Sequence, residues 1–142
     1  IDVLYIEGVD DQAALREAAR VLRSGGLLVV NVPAFPWLRG THDAAVHTRH
    51  RYHRREIEQL LGAHGFILKH AWYWNVLLFP AVFLIRRLRR RRDDLPPRSD
   101  LVPLPRSLNW LLLRIGLLDI WLCRRVRLPF GTSVFSVGSK VS

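Results

Sequence analysis

The stretch from Asp11 to Val32 constrains the fold more than any other part of the chain. Ala14, Leu15, Ala18, Val21 and Leu22 recur at steps of three and four, with Arg16, Glu17, Arg20 and Arg23 facing away. That is the period of an amphipathic helix. Gly25-Gly26 follows and supplies the left-handed freedom that a helix C-cap needs. Leu27-Leu28-Val29-Val30-Asn31-Val32 is then almost continuously apolar, the pattern of a strand buried on both faces. Helix, glycine turn and buried strand are consecutive parts of a crossover unit in a parallel sheet. The chain is therefore expected to be α/β.

The flanking segments extend this plan. Ile1–Glu7 is β-branched and aromatic enough to predict a preceding strand, and Gly8 to Asp11 a turn whose aspartates favour a helix N-terminus. Pro33-Ala34-Phe35-Pro36-Trp37 opens a long loop rich in His and Arg that reaches about Tyr52. A helix is expected from Arg54 to His64, with Ile57, Leu60 and Leu61 inward and Gly65 as its cap, then a strand over Phe66–Trp72. Trp74 to Leu88 is apolar and helix-like with Pro80 inside, and it ends in Arg86, Arg87, Arg89, Arg90, Arg91 and Arg92. Leu95 to Pro105 holds four prolines and predicts a stiff surface linker. Ser107 is placed to N-cap a helix running to about Arg125, and Thr132 to Lys140 predicts a last strand. The resulting domain plan is a core over 1–73, an Arg-rich helical insertion over 74–128, and a strand returning to the core over 129–142.

Charge sharpens the plan. Residues 1–65 hold 8 basic and 8 acidic side chains, whereas residues 66–142 hold 14 basic and 4 acidic ones and so carry the whole net charge of +10. A neutral first half is a poor nucleic-acid platform, so no nucleic-acid partner is expected. The lone Cys123 excludes an internal disulfide framework, and it predicts a reducing, cytoplasmic setting. On its apolar helix it reads as a small buried hydrophobe. Met is absent and the chain opens mid-pattern, which reads as a segment of a longer protein.

Several pieces occur in a telling order. Val3-Leu4-Tyr5-Ile6-Glu7-Gly8-Val9-Asp10-Asp11 is followed by the helix from Ala13 to Gly26, the strand from Leu27 to Pro33, and then His42-Asp43, His47, Arg49, Arg51 and Tyr52. The helix from Glu56 to Gly65-Phe66 closes the series. This series resembles the C-terminal half of a class I S-adenosylmethionine-dependent methyltransferase of the type 11/12 group, over a little more than half of the chain. The resemblance implies a Rossmann-like sheet seen from its fourth to its seventh strand, with an apolar helical insertion before the last one. It also implies S-adenosylmethionine as cofactor, with Tyr5, Glu7 and Gly8 on the cofactor wall at the strand edge. Some features depart from the family. The Gly-rich cofactor loop and the ribose-binding acid are not in this sequence, Ser24 replaces a Pro, and Leu4 and Gly8 stand where the family carries Asp and His.

Ligands of such sheets sit beyond the carboxyl ends of the strands. The loop after Leu27–Pro33 therefore supplies the candidate chemistry. His42, Asp43 and His47 are the candidate catalytic residues, with a His as general base for a hydroxyl acceptor. Pro33, Trp37, Arg51 and Tyr52 are candidate substrate contacts. The competing reading is a structural loop whose His and Asp satisfy backbone groups. His47, His50 and His53 invite a metal site, but Arg49, Arg51, Arg54 and Arg55 crowd them with like charge, so no metal is expected. The second half suggests a small hydrophobic or lipid-like acceptor. It also suggests peripheral contact with an anionic membrane through Trp72, Trp74, Phe79 and Phe83, beside Arg86, Arg87, Arg89 and Arg90. The alternative to an enzyme is a non-catalytic membrane-surface or partner-binding module on a degenerate methyltransferase scaffold.

Overall fold

A computed structural model describes residues 1–89 and 103–141. The described chain is mixed α/β. Its helices are α1 (Asp11–Val21), α2 (Thr41–Ala45), α3 (Arg54–Ala63), α4 (Phe79–Arg89) and α5 (Arg106–Cys123). Its strands are β1 (Leu27–Pro33), β2 (Phe66–Trp74) and β3 (Ser133–Lys140). Most of the expected linker and Arg90, Arg91 and Arg92 lie outside the described residues.

The sheet order is β1-β3-β2, with β3 antiparallel to both neighbours. The last strand in the sequence is thus the central one, and β1 and β2 run parallel to each other on either side of it. The helix α3 makes the connection between them. The sheet is three-stranded with antiparallel ladders, which differs from the expected run of parallel strands.

The expected strand over Ile1–Glu7 does not form. Ile6 N–H donates to Val3 O and Val9 N–H to Ile6 O, two successive turns that an extended strand cannot contain. Leu4 drops into the core instead, and Ile6 makes a single antiparallel bridge to Thr48. Only Ile1 lies beside β1: its nitrogen donates to Val29 O, and Asn31 N–H donates to Ile1 O.

Local chemistry explains the elements that match expectation. Asp10 N-caps α1 by accepting from Gln12 and Ala13 N–H at 2.9 and 3.1 Å. Leu15 and Ala18 bury against the sheet, with Leu22 packed beside them. Val21 does not join them. The helix ends there, Leu22 turns into extended backbone, and Val21 is 63% exposed. At α3, Glu56 reaches back to the His53 N–H, and Ile57 and Leu61 are buried. Ser107 does not cap α5; it lies inside the first turn, and Pro105 holds the cap position without a side-chain bond.

Burial of β1 alternates. Leu28, Val30 and Val32 are buried, whereas Leu27 and Val29 are exposed. The expectation of two covered faces fails because Leu15 and Ala18 of α1 and Ile57 and Leu61 of α3 join one core cluster on a single face. On the other face, α5 packs against β2 and leaves β1 open.

β3 is threaded tightly into the centre of the sheet. A Cβ at Gly131, just before it, would lie 2.5 Å from Trp74 O, a backbone atom that already accepts Thr132 N–H. Gly131→Ala should destabilise the fold by about 1–3 kcal/mol, read as a lower urea midpoint with unchanged m-value. An unchanged midpoint would show that the strand does not approach Trp74 so closely.

Candidate functional site

The loop between β1 and α3 is clamped at both ends before any side chain acts. Tyr52 N–H donates to Pro33 O, Phe35 N–H donates to Tyr52 O, and Ala34 N–H donates to Thr132 O. Residues 36–51 are thereby held as a flap at the carboxyl end of β1. It contains a 3-10 turn, Pro36–Leu38, and α2, which the sequence pattern did not reveal. Both are too short to carry a hydrophobic periodicity.

Asp43 organises the interior of this flap. It is 1% exposed. One carboxylate oxygen accepts from Arg51 Nε at 2.8 Å, and the other from Gly40 N–H at 2.7 Å and Arg86 Nη1 at 3.2 Å. Arg51, 6% exposed, also donates to Ala34 O at 2.7 Å. Burial pushes the Arg51 guanidinium below its ordinary value, and the Asp43 charge opposes that shift. Arg86 also donates to Leu38 O. It was expected to face lipid, but it ties α4 to the flap.

The other candidates are distributed unevenly. Tyr5, Pro33, His42, Asp43 and Arg51 line one polar cavity of about 230 Å³ at the end of β1, together with Asn31, Thr132, Ser133 and Arg86. His47 lies outside this cavity. Its backbone has φ 53°, and its exposed ring faces exposed Glu7 at 3.9 Å. Gly8 adopts φ 84° in the adjoining turn, a conformation that favours glycine. Tyr52 is fully buried, and its hydroxyl bonds Leu4 O and Asp11, each at 3.0 Å. Desolvation, then the Asp11 hydrogen bond and charge, raise its pKa above the usual tyrosine value of 10.0.

Aromatic side chains build the next layer. Phe35 stacks on Tyr73, and Trp37 meets Phe79 and Phe83 edge to face. Phe79 packs on Phe130, Trp72 on Phe135, and Trp74 donates its indole N–H to Asn31 Oδ1 at 3.2 Å. Asn31 lines the polar cavity, whereas Trp74 lines a second, larger cleft of about 610 Å³ between α5 and the sheet. The Trp74–Asn31 hydrogen bond is thus a shared wall. Trp72, Phe135 and Ile120 give the larger cleft apolar walls, and Arg124, Arg125 and Arg127 also line it.

Asp119 was missed as a structural residue. It is buried on α5 and accepts Asn75 and Leu77 N–H, both at 2.8 Å, which fixes the chain where it leaves β2. A single acid in an otherwise apolar helix was the available signal, since such a group is buried only with partners. Burial and Asp119 push the neighbouring Cys123 thiol up to about 11, so it stays protonated near neutrality.

The three histidines of the 47–53 stretch go to different partners. His47 faces Glu7, His50 Nε2 lies 2.7 Å from Glu56, and His53 meets the edge of Phe35. Among the described residues, no group of three His, Cys, Asp or Glu is arranged to hold a metal ion.

Arg51→Met should destabilise the protein by about 3–5 kcal/mol, because it strands a buried carboxylate. Arg86→Gln should cost less, since Arg51 and Gly40 would still satisfy Asp43. Urea titration of both variants checks the order. Tyr52 supplies a separate alkaline signature. A raised folded-state pKa contributes stability that is complete below pH 10 and is lost as pH rises above it. Urea midpoints measured from pH 9 to 11.5 should fall more steeply for the wild type than for Tyr52→Phe.

No protein-family model matches the chain, and no match was found among curated proteins. Among solved structures, the chain is similar to a "putative sarcosine dimethylglycine methyltransferase" from Galdieria sulphuraria, with 13% identity and a TM-score of 0.48. The match covers 99% of this chain and 51% of that one, so the chain spans about half the length of that protein. Similarity at this level does not establish an activity.

Proposed function

We propose that the chain is the C-terminal part of an S-adenosylmethionine-dependent methyltransferase acting on a hydrophobic or lipid-like acceptor. One observation carries the reading. Tyr5, Pro33, His42, Asp43 and Arg51, which the resemblance assigns to cofactor, acceptor and catalysis, come from separate segments and line one cavity at the carboxyl end of β1. That edge is where α/β sheets bind ligands. At about 230 Å³ the cavity is smaller than the ~300–1,000 Å³ of a complete small-molecule site. These residues therefore fit one wall of the cofactor site, and the Gly-rich loop must come from residues outside this sequence.

S-adenosylmethionine supplies a methyl group already activated on a sulfonium, so the protein's task is to align the acceptor, exclude water and remove a proton. The loop over residues 36–51, pinned at both ends, is placed to limit water at the strand end. His42 is the one cavity histidine and takes the proton of a hydroxyl acceptor. Asp43 acts at one remove, since its oxygens are engaged by Arg51, Arg86 and Gly40 and hold the backbone that presents His42. The larger cleft beyond the Trp74–Asn31 wall receives the acceptor's body.

Titration of the full-length gene product with S-adenosylhomocysteine should give saturable heat, and its absence would sink the enzyme reading. With an acceptor in hand, His42→Ala should lower kcat by at least about a hundredfold at similar stability. The fully engaged Asp43 carboxylate favours a second reading, a non-catalytic module on the same scaffold. That reading expects neither the binding heat nor the His42 effect.

A further inference from the structure

The helix α5 has a surface that the described residues leave uncovered. Its inner stripe, Leu112, Ile115, Gly116, Asp119, Leu122 and Cys123, is the less exposed one and follows the three- and four-residue steps of a packed face. The opposite line runs Trp110, Leu113, Leu117 and Trp121, again at steps of three and four. These residues are 57%, 59%, 52% and 51% exposed. Leu111, Leu118 and Ile120 flank the line and are also exposed. A soluble surface seldom gathers this much aliphatic and indole area on one helix without a partner.

Charge on the same helix has one sign. Arg106, Arg114, Arg124 and Arg125 are exposed along α5 or just past its end, and Arg127 follows. The only acidic residue from Arg106 to Arg127 is Asp119, which is buried and bound to two backbone amides. Arg114 lies over the Trp110 ring at 5.0 Å and Arg125 over the Trp121 ring at 4.1 Å. Each exposed indole of the line thus carries a guanidinium beside it, pairing apolar area with a cation. Among the described residues, no acidic side chain forms an ion pair with Arg114, Arg124, Arg125 or Arg127.

We propose that the outward face of α5 lies in the headgroup layer of an anionic lipid bilayer. Trp110, Leu113, Leu117 and Trp121 enter the acyl boundary, and Arg106 and Arg114 contact lipid phosphates. The helix lies flat rather than spanning. Among the described residues, no helix is long and apolar enough to cross a membrane, and the Asp119 bonds to Asn75 and Leu77 fasten its inner stripe to the sheet. Charge complementarity selects lipid over a second copy of the chain, whose α5 would present the same arginines. The contact differs from the one expected through Trp74, Phe79 and Arg86, which the fold spends on Asn31, Phe130 and Asp43. It stands independently of any methyl transfer.

The test is co-sedimentation of the chain with vesicles of phosphatidylcholine alone or mixed with phosphatidylglycerol, together with tryptophan emission. Binding should be at least about tenfold tighter to the anionic vesicles, weaken with salt, and blue-shift the emission. Arg106→Gln and Arg114→Gln should each cost about fivefold on anionic vesicles alone. Leu113→Ser with Leu117→Ser should abolish the blue shift, and Arg55→Gln on α3 should change nothing. Circular dichroism and urea midpoints check that these exposed substitutions leave the fold intact. Equal binding to both vesicle types, or none, overturns the proposal. So does concentration-dependent self-association that the Leu113/Leu117 variant removes, which would assign the face to a second copy.

Discussion

The buried ion pair between Asp43 and Arg51 is the interaction on which the strand end depends. An isolated carboxylate at 1% exposure would be costly to ionise, and an isolated guanidinium cannot shed its charge. Each is tolerable only because the other is present and because further bonds run from the pair. They reach Gly40 at the start of α2, Ala34 at the end of β1, and Arg86 on α4. Four separate stretches of chain therefore meet at one charge pair. A pair of this kind contributes little net stability against an apolar alternative, but losing one member is expensive. Here the pair ties the flap to the end of β1 and to α4.

Everything at that strand end follows from these ties. Asp43 is tied inward, so His42 is presented at the cavity wall, while His47 falls on the far side of the turn in a left-handed conformation. The sheet beneath is built asymmetrically. One face carries the core cluster, and on the other α5 packs against β2. A hydrogen bond from Trp74 to Asn31 links the lining of the polar cavity to that of the larger cleft.

The elements that were legible in the sequence share a property: local chemistry specifies them. Asp10 announces α1, the Ile57–Leu61 spacing with Gly65 announces α3, and the β-branched run after Gly26 announces β1. Ile1–Glu7 misleads because its composition suits a strand, yet Leu4 gains more by burial beneath Tyr52 than by pairing. The arginine cluster at 86–92 reads as a uniform charge run. Only contact with Asp43 distinguishes Arg86 from Arg87, and a contact across 43 residues leaves no periodic trace. Asp119 was the missed clue, a lone acid whose setting already required partners.

The sequence by itself determined the longer helices and the three paired strands, where the basic charge lies, and that the loop after β1 is rich in His and Arg. These depend on periodicity, capping and composition, which act over a few residues. Tertiary structure alone decided that the last strand is central, that Asp43 is buried against Arg51 while His42 lines the cavity, and that α5 rather than the Trp74–Phe83 segment presents its tryptophans outward. Those outcomes depend on which side chains compete for the same buried partners, a contest that only the closed chain resolves.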